Sequence, residues 1–251
     1  MLKSRVIPVV LYDGRVVVKS IKFARHRNVG HPVNVARVYN AREVDELIFL
    51  DISATVENRP PNFELLQDVA DECFMPLTIG GGIKSLDDIR LSLLAGADKV
   101  CINSAAFSSP SLIASAASKF GSQCIVVGVD VLKSEEGRYR IYKHSDKTMA
   151  KEDPFDFVRS LVELGAGEIY LNSVDNDGMM DGFDEDLIAR VCESVSVPVI
   201  VAGGAGKLDD FAIAIKCGAS AVGAASIFHF TEATPLEAKR YMFGAGIATR
   251  L

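Results

Sequence analysis

Residues 80–107 read GGGIKSLDDIRLSLLAGADKVCINSAAF, and residues 203–230 read GGAGKLDDFAIAIKCGASAVGAASIFHF. The two segments have the same glycine spacing: Gly82 and Gly204 are each followed by another glycine 14 residues later. The equivalent residues Gly82 and Gly204 are 122 positions apart, close to half of the 251-residue chain. A repeat of this length indicates that the chain consists of two homologous halves.

Short apolar runs rich in β-branched residues alternate with amphipathic segments of helix length. Most runs are continuously apolar, as in parallel strands that are covered on both faces. The eight runs are VIPVVL (6–11), ELIFLDI (46–52), PLTIG (76–80), KVCIN (99–103), CIVVGVD (124–130), EIYLNSV (168–174), PVIVAG (198–203) and AVGAAS (221–226). Eight strand–helix units in this length are typical of a (β/α)8 barrel. A doubly wound sheet is the alternative, but that fold does not require eight strands.

Two homologous four-strand halves close naturally into one barrel. No linker or shift in composition interrupts the chain, so we expect residues 1–251 to form a single α/β domain, a TIM barrel built from two half-barrels. The polar segment 133–153 is expected to form a loop with its own small hairpin. Four aromatic residues on apolar faces are expected in the core, namely Tyr39, Phe49, Phe74 and Phe120.

The composition excludes several classes of function. The net charge of −6 and the pI near 5.3 argue against a nucleic-acid or anionic-membrane partner held by bulk electrostatics. No apolar run approaches the length that spans a bilayer, and the first residues lack a signal-peptide pattern. The five cysteines include no CxxC pair, which favours reduced thiols in a cytoplasmic protein. No metal or cofactor is expected, because metal-ligand spacing is absent from the four histidines, His26, His31, His144 and His229.

The repeated segments place glycine-rich turns after the third and seventh predicted strands and small-residue turns after the fourth and eighth. Glycine lets the backbone approach an anion, and helix N-termini supply free N–H groups. The predicted phosphate-binding residues are Gly81, Gly82, Asn103 and Ser104 in one half and Gly204, Ala225 and Ser226 in the other. Two such sites at one end of a barrel imply a ligand with a phosphate at each end. The alternative is that the glycines only form tight turns.

Asp130 ends the fifth predicted strand at the same end of the barrel. It is a candidate general acid or base, and a loop cap is its alternative role. Alignment of the two halves sets VIPVVL (6–11) against IVVGVD (125–130), so that Leu11 takes the position of Asp130. A symmetrical pair of carboxylates is therefore missing. The nearby Asp13 precedes a glycine and is more simply part of a turn.

The whole chain resembles the cyclase subunit of imidazole glycerol phosphate synthase. The resemblance covers all eight predicted strands through RVIP, DGRVV, DELIFLDI, GGGI, GADKVCINSAA, FGSQ, GAGEI, DNDG, GGAGK and AASIFHF. In that family the barrel takes ammonia made by a separate glutaminase. It uses the ammonia to split a ribulose-phosphate-linked aminoimidazole intermediate. The resemblance therefore implies a lyase-like synthase subunit that forms a heterodimer with a glutaminase.

The resemblance also assigns residues at the phosphate-binding end. It implies that Lys19 is the flexible lysine of the first loop and that Asp130 is one of two catalytic aspartates. The second aspartate falls on Leu11, because IPVVLYDG stands where the family usually has IPCLDxxDG. The implied phosphate contacts are Gly82, Asn103, Ser104, Asp177, Gly178, Gly204, Ala225 and Ser226.

Four charged residues begin strands and point toward the opposite, N-terminal end of the barrel: Arg5, Glu46, Lys99 and Glu168. Such charges can simply solvate a barrel end. The resemblance instead implies a salt-bridge gate through which ammonia enters from the docked glutaminase. Asp98 matches a family contact to that partner. We therefore expect a glutaminase subunit to dock at this face.

The loss of the first aspartate is typical of a branch of this family associated with bacterial surface-sugar amidation. There an acetamido group becomes an acetamidino group, and the barrel supplies ammonia to a third, sugar-modifying enzyme. This is the leading hypothesis for the chain. One alternative is a genuine cyclase of histidine biosynthesis that uses Asp130 and a displaced Asp13. The other is a non-catalytic ammonia conduit.

Overall fold

The computed structural model describes residues 3–251, with only the backbone described at Arg25 and His26, so the side chain of His26 lies outside the described part. The strands are β1 (Arg5–Tyr12), β2 (Val17–Ile21), β3 (Ala24–Gly30), β4 (Leu47–Asp51), β5 (Leu77–Gly80), β6 (Lys99–Ile102), β7 (Ile125–Lys133), β8 (Tyr139–Lys143), β9 (Thr148–Met149), β10 (Glu168–Ser173), β11 (Val199–Ala202) and β12 (Ala221–Ala224). The helices are α1 (Pro32–Ala41), α2 (Phe63–Ala70), α3 (Leu86–Leu94), α4 (Ser104–Ser108), α5 (Ser111–Phe120), α6 (Pro154–Glu163), α7 (Glu185–Ser194), α8 (Leu208–Lys216), α9 (Ser226–Phe230) and α10 (Pro235–Gly244).

Eight of these strands form a closed parallel barrel. The order around the barrel is β1, β4, β5, β6, β7, β10, β11 and β12, and β12 pairs with β1 to close it. At least one helix follows each barrel strand in the chain, as in a (β/α)8 fold. The predicted TIM barrel is therefore confirmed, with all eight strands at the predicted positions.

Each half of the barrel carries an antiparallel excursion after its first strand. The hairpin predicted in residues 133–153 is confirmed, because β8 pairs with β7 and with β9. The corresponding ribbon of β2 and β3 in the first half was not predicted. The β3 sequence, ARHRNVG, is polar and lacks the alternation that indicates a strand.

The barrel has two apolar cores, because alternate strand residues face outward and inward. The outer core lies between the strands and the helices and contains Tyr39 and Phe49. The inner core fills the barrel interior and consists of Ile7, Val9, Leu11, Val18, Ile48, Cys101, Val126, Tyr170, Ile200, Ala202, Ala221 and Ala225. Phe120 packs at the edge of the outer core, whereas Phe74 is 87% exposed, so its predicted core position is wrong. Phe74 lies in the loop between α2 and β5, where its backbone N–H donates to Oδ1 of Asn40 at 3.1 Å while its side chain points to the surface.

The described helices are short, and none is long and apolar enough to cross a membrane. The longest have ten residues, as expected for elements that cover a barrel strand. The five cysteines are free thiols, and Cys101 in the barrel interior is the most buried of them.

Candidate functional site

The carboxyl ends of the barrel strands surround one cavity, which we call the mouth. Loops from both halves line it, as in other barrels whose sites are built from the loops after the strands. The eleven residues predicted from the sequence for this end all line the cavity: Lys19, Gly81, Gly82, Asn103, Ser104, Asp130, Asp177, Gly178, Gly204, Ala225 and Ser226. The structure thus brings both predicted phosphate sites and Asp130 to a single cavity.

Two of the glycines are required by the shape of their turns. Gly82 has φ +72° and Gly204 has φ +129°, a backbone region that favours glycine. A Cβ atom on Gly204 would also lie 2.2 Å from the carbonyl oxygen of Gly182. These turns therefore pack against neighbouring loops while their backbone faces the cavity. The alternative of purely structural glycines explains the packing but not the placement of both turns on one cavity.

Two five-residue helices begin at equivalent points of the two halves. Helix α4 begins at Ser104 and α9 begins at Ser226, 122 residues later. The first N–H groups of a helix have no partners within the helix and carry a partial positive charge. Together with Gly82 and Gly204, these helix starts form two equivalent groups of residues at the mouth, which we call the two cradles.

Lys19 reaches the mouth from β2 and is 6% exposed. Its Nζ lies 3.5 Å from Oδ1 of Asp177, and the hydroxyl of Ser20 donates to Oδ2 of Asp177 at 2.8 Å. The backbone N–H of Lys22 donates to the Asp177 carbonyl oxygen at 2.9 Å. A Cβ on Gly178 would meet the Ser20 carbonyl oxygen at 2.3 Å. These contacts fasten β2 to the loop after β10 and hold the lysine ammonium at the cavity.

Asp130 is a buried carboxylate with 7% exposure. Nδ2 of Asn103 donates to its Oδ2 at 2.9 Å, and Nδ2 of Asn172 donates to its Oδ1 at 3.4 Å. Burial raises the pKa of Asp130 to about 6, although both amide hydrogen bonds favour the charged form. A carboxyl that titrates near neutral pH can take up and return a proton. Its side-chain partners, and the continuation of β7 to Lys133, argue against a loop cap.

Leu11 lies across the mouth from Asp130, because β1 and β7 are four strands apart in the barrel. It is buried and lines the cavity. Asp13 is not part of the cavity lining among the described residues. Its Oδ1 accepts hydrogen bonds from the backbone N–H groups of Arg15 and Val16 at 3.0 and 2.9 Å, as in a turn. The structure therefore supports the turn interpretation of Asp13.

Asp51, which the sequence pattern did not single out, is a further buried carboxylate at the mouth beside Asp130 and Asp177. Arg59 binds both of its oxygens at 2.6 and 2.8 Å, and the N–H groups of Ser53 and Ala54 donate to Oδ1 at 3.1 and 3.0 Å. The guanidinium and the loop therefore neutralise Asp51 and occupy its lone pairs, which suits loop structure better than proton transfer. Its place at the end of an apolar run, FLD, was the available signal. Among the described residues, no group of three or more His, Cys, Asp or Glu could hold a metal ion.

The four charged residues predicted at the opposite end form a closed ring, which we call the ionic ring. Arg5 Nη1 lies 2.7 Å from Glu46 Oε1 and 3.0 Å from Glu168 Oε1. Lys99 Nζ lies 3.2 Å from Glu46 Oε2 and 3.0 Å from Glu168 Oε1. Each cation thus bridges both carboxylates, and the four side chains are mostly buried. The ring seals the N-terminal end of the barrel interior.

The face around the ionic ring exposes two large apolar side chains. Phe74 precedes β5, and Leu94, which is 71% exposed, ends α3 just before β6. Asp98 is exposed on the same side, and its Oδ2 accepts a hydrogen bond from the Leu77 N–H at 2.8 Å. Contiguous apolar patches rimmed by polar residues mark protein interaction sites, whereas single exposed apolar side chains are common on soluble proteins.

The raised pKa of Asp130 predicts how stability depends on pH. The carboxyl has its ordinary pKa of 3.8 when unfolded and a pKa of about 6 when folded, so stability falls as pH rises through this window. Above the window, the buried charge costs on the order of 3 kcal/mol. In the variant Asp130→Asn, Oδ1 can accept from Asn103 and Nδ2 can donate to Oδ1 of a rotated Asn172 amide. Both contacts are then kept without a buried charge, and the variant should be about 1–2 kcal/mol more stable than the wild type near pH 8. Urea unfolding should show this difference shrinking toward about pH 4, and a wild type that is the more stable form near pH 8 would contradict the assignment.

A family model described as "Histidine biosynthesis protein" matches residues 5–234. The match includes all eight barrel strands, the mouth and the ionic ring. This family consists of isomerase-like and cyclase-like barrel enzymes. The chain belongs to the histidine biosynthesis protein family of barrel enzymes.

Proposed function

We propose that the chain is the ammonia-accepting synthase subunit of a glutamine amidotransferase complex. The observation that carries this proposal is the closed ionic ring at one end of an apolar barrel interior, with Asp130 at the other end. Charges that only solvate a barrel end need not bridge one another, whereas here each cation bridges both carboxylates. At the entrance to an apolar passage, such a ring can exclude water and ions.

The barrel interior favours ammonia over ammonium. Side chains such as Ile48, Val126 and Ile200 fill the space between the ring and the mouth. A charged ammonium ion would lose its hydration there, whereas neutral ammonia loses much less. Opening of one bridge, for example Lys99 to Glu168, would therefore admit ammonia without admitting ions.

A glutaminase subunit is the proposed source of this ammonia, in a heterodimer at the face around the ionic ring. Phe74 and Leu94 supply exposed apolar contacts, and Asp98 supplies a carboxylate beside Lys99. To test the proposed function, the chain is mixed with a glutaminase subunit encoded by the same genome. The two chains should form a complex that hydrolyses glutamine. Failure to associate at micromolar concentrations would refute the proposal.

The mouth is proposed to bind a small molecule with a phosphate at each end. Selenate replaces phosphate and can be located by its anomalous scattering in soaked crystals. We expect selenate near Gly82 and Ser104 and near Gly204 and Ser226. The variant Ala225→Asp places a carboxylate at the second cradle, so it should remove that anion and leave the first in place. Selenate found only at crystal contacts would contradict the proposed cradles.

Leu11 favours a reaction other than histidine-pathway cyclisation. We propose that the complex works in the cytoplasm and supplies ammonia for amidination of a bacterial surface-polysaccharide sugar. A third, sugar-amidating enzyme would turn the acetamido group into an acetamidino group. The burial and raised pKa of Asp130 favour a chemical role over a purely passive conduit. A genuine cyclase remains the second candidate, favoured by the intact phosphate cradles and Asp130.

A further inference from the structure

Asn172 has an unmet hydrogen-bonding group at the mouth. Its Nδ2 donates to Asp130, while its Oδ1 is buried and has no hydrogen-bond partner within the described residues. The side chain is 7% exposed and lines the cavity. Asp130 can only accept hydrogen bonds when it is ionised, so it fixes the amide with Nδ2 toward the carboxylate. The carbonyl oxygen of Asn172 is therefore fixed in orientation and can accept a hydrogen bond.

The neighbouring loop packs closely over this oxygen with a glycine. Gly203 has φ +84° and also lines the cavity. A Cβ atom at Gly203 would lie 2.8 Å from Oδ1 of Asn172 and would block the approach. Oδ1 itself has almost no accessible surface, so a small N–H donor reaches it from the cavity only when the amide shifts, and the absent side chain at Gly203 leaves room for that shift.

A second unmet acceptor lies at the other end of the same strand. Oε2 of Glu168 is buried, and no residue that the structure describes donates to it. Glu168, Tyr170 and Asn172 alternate along β10, so all three face the barrel interior. The first and last of them are separated by roughly 13 Å along the strand. Unmet acceptors at both ends of the passage suit a ligand that carries several N–H bonds.

We propose that Oδ1 of Asn172 and the carboxylate of Asp130 form the site that holds ammonia at the mouth, an inference that rests on the proposed function. Ammonia has three N–H bonds and one lone pair. The two acceptors can each take one N–H bond, which leaves the lone pair directed away from them, toward a ligand in the mouth. Asn172 thereby positions both Asp130 and the incoming nitrogen.

The groups that face Asp130 allow a direct titration of this site. They are Cys101 from β6, Tyr142 from β8, Tyr170 from β10 and Asp177 from the loop after β10. Burial raises the pKa of Cys101 to about 12 and also raises the pKa values of both tyrosines. These three groups therefore stay protonated while Asp130 titrates.

The test is a pH titration of the isolated chain with ¹³C-labelled aspartate carboxyl groups, in ammonium chloride and in potassium chloride. Potassium has nearly the size of ammonium but no N–H bonds. The signal of Asp130 is assigned from its loss in Asp130→Asn. At the pH of this titration the probe is ammonium, whose N–H bonds can engage the same two acceptors from the open mouth. It should lower the apparent pKa of Asp130 by ~0.5 unit or more relative to potassium, because a bound cation favours the carboxylate. Equal values in the two salts would overturn the proposal.

Variants of β10 separate the role of Asn172 from that of Asp130. Asn172→Leu should abolish the difference between the salts, and Asn172→Ala serves if the leucine variant does not fold. Ser173→Ala, at the adjacent outward-facing position, should retain the difference. Persistence of the ammonium effect in a folded Asn172 variant would overturn the assignment of Asn172. The titration uses no glutaminase, so a failure of complex formation would count against the proposed function alone.

Discussion

Given ammonium and the ribulose-phosphate-linked aminoimidazole intermediate, the isolated chain should form imidazole product at least about 10²-fold more slowly than a true cyclase. The reason is the single acid–base group at the mouth. Cleavage and ring closure require proton transfers at several atoms, and one positioned acid or base contributes about 10²–10⁴-fold to such a step. Asp130 can still supply the rate enhancement of one acid or base, whereas Leu11 places an aliphatic side chain at the opposite position.

Two variants sharpen this prediction. Asp130→Asn should remove most of the residual turnover. Leu11→Asp should restore little. Leu11 is held in β1 by pairing with Val18 and Leu50, and the turn after it is one residue shorter than in the cyclase pattern IPCLDxxDG, so the surroundings of a new carboxylate would differ from those in a true cyclase. Steady-state measurements of product formation check all three proteins. A near-normal rate in the unmodified chain would assign it to histidine biosynthesis.

Loss of one cation from the ionic ring should separate glutamine hydrolysis from ammonia delivery. Lys99→Met keeps a similar volume but leaves the carboxylates of Glu46 and Glu168 with Arg5 as their only cation in the ring. Repulsion between the two carboxylates should open the entrance and admit water. The change should also cost about 1–3 kcal/mol of stability, since a partly buried ion pair loses its partner.

The leak is measured in the reconstituted complex with amide-¹⁵N glutamine and unlabelled ammonium in the medium. The wild-type product should carry mostly glutamine-derived nitrogen, whereas the product of Lys99→Met should approach the isotopic composition of the medium. Lys84→Met is the matched control, because the Lys84 ammonium is exposed and donates only to Asn58, at 3.2 Å, in the described structure. An unchanged isotope ratio in Lys99→Met would show that the ring does not control ammonia entry.

The sequence pattern was sufficient to predict the barrel architecture and the residues that lie at its two ends. The repeat around Gly82 and Gly204 predicted the pseudo-symmetric halves, and charges at strand starts predicted the residues that meet in the ionic ring. The two halves and the position of the charges at one end depend on residue type and spacing alone, whereas the salt bridges among those charges were implied by the resemblance to the cyclase subunit. The halves and the charge positions could therefore be inferred before the strands were placed in space.

Other features depend on contacts between distant segments. Asn172 reaches Asp130 because β10 and β7 pair with these two residues in register, which no local pattern reveals. The raised pKa of Asp130 likewise comes from burial by the assembled barrel. Phe74 shows the opposite failure: its apolar neighbourhood in the sequence predicted burial, but the barrel leaves it on the surface.

The most direct test of the proposed function is hydrogen–deuterium exchange of the chain with and without a glutaminase subunit from the same genome. Binding should protect the segments around Phe74 and Leu94 and leave the loops that carry Gly178 and Gly204 unchanged. The variant Phe74→Ser should weaken the protection, whereas Val56→Ser, an exposed apolar position in the loop after β4, should not. Protection at the mouth, or no protection at any segment, would contradict a glutaminase docked over the ionic ring.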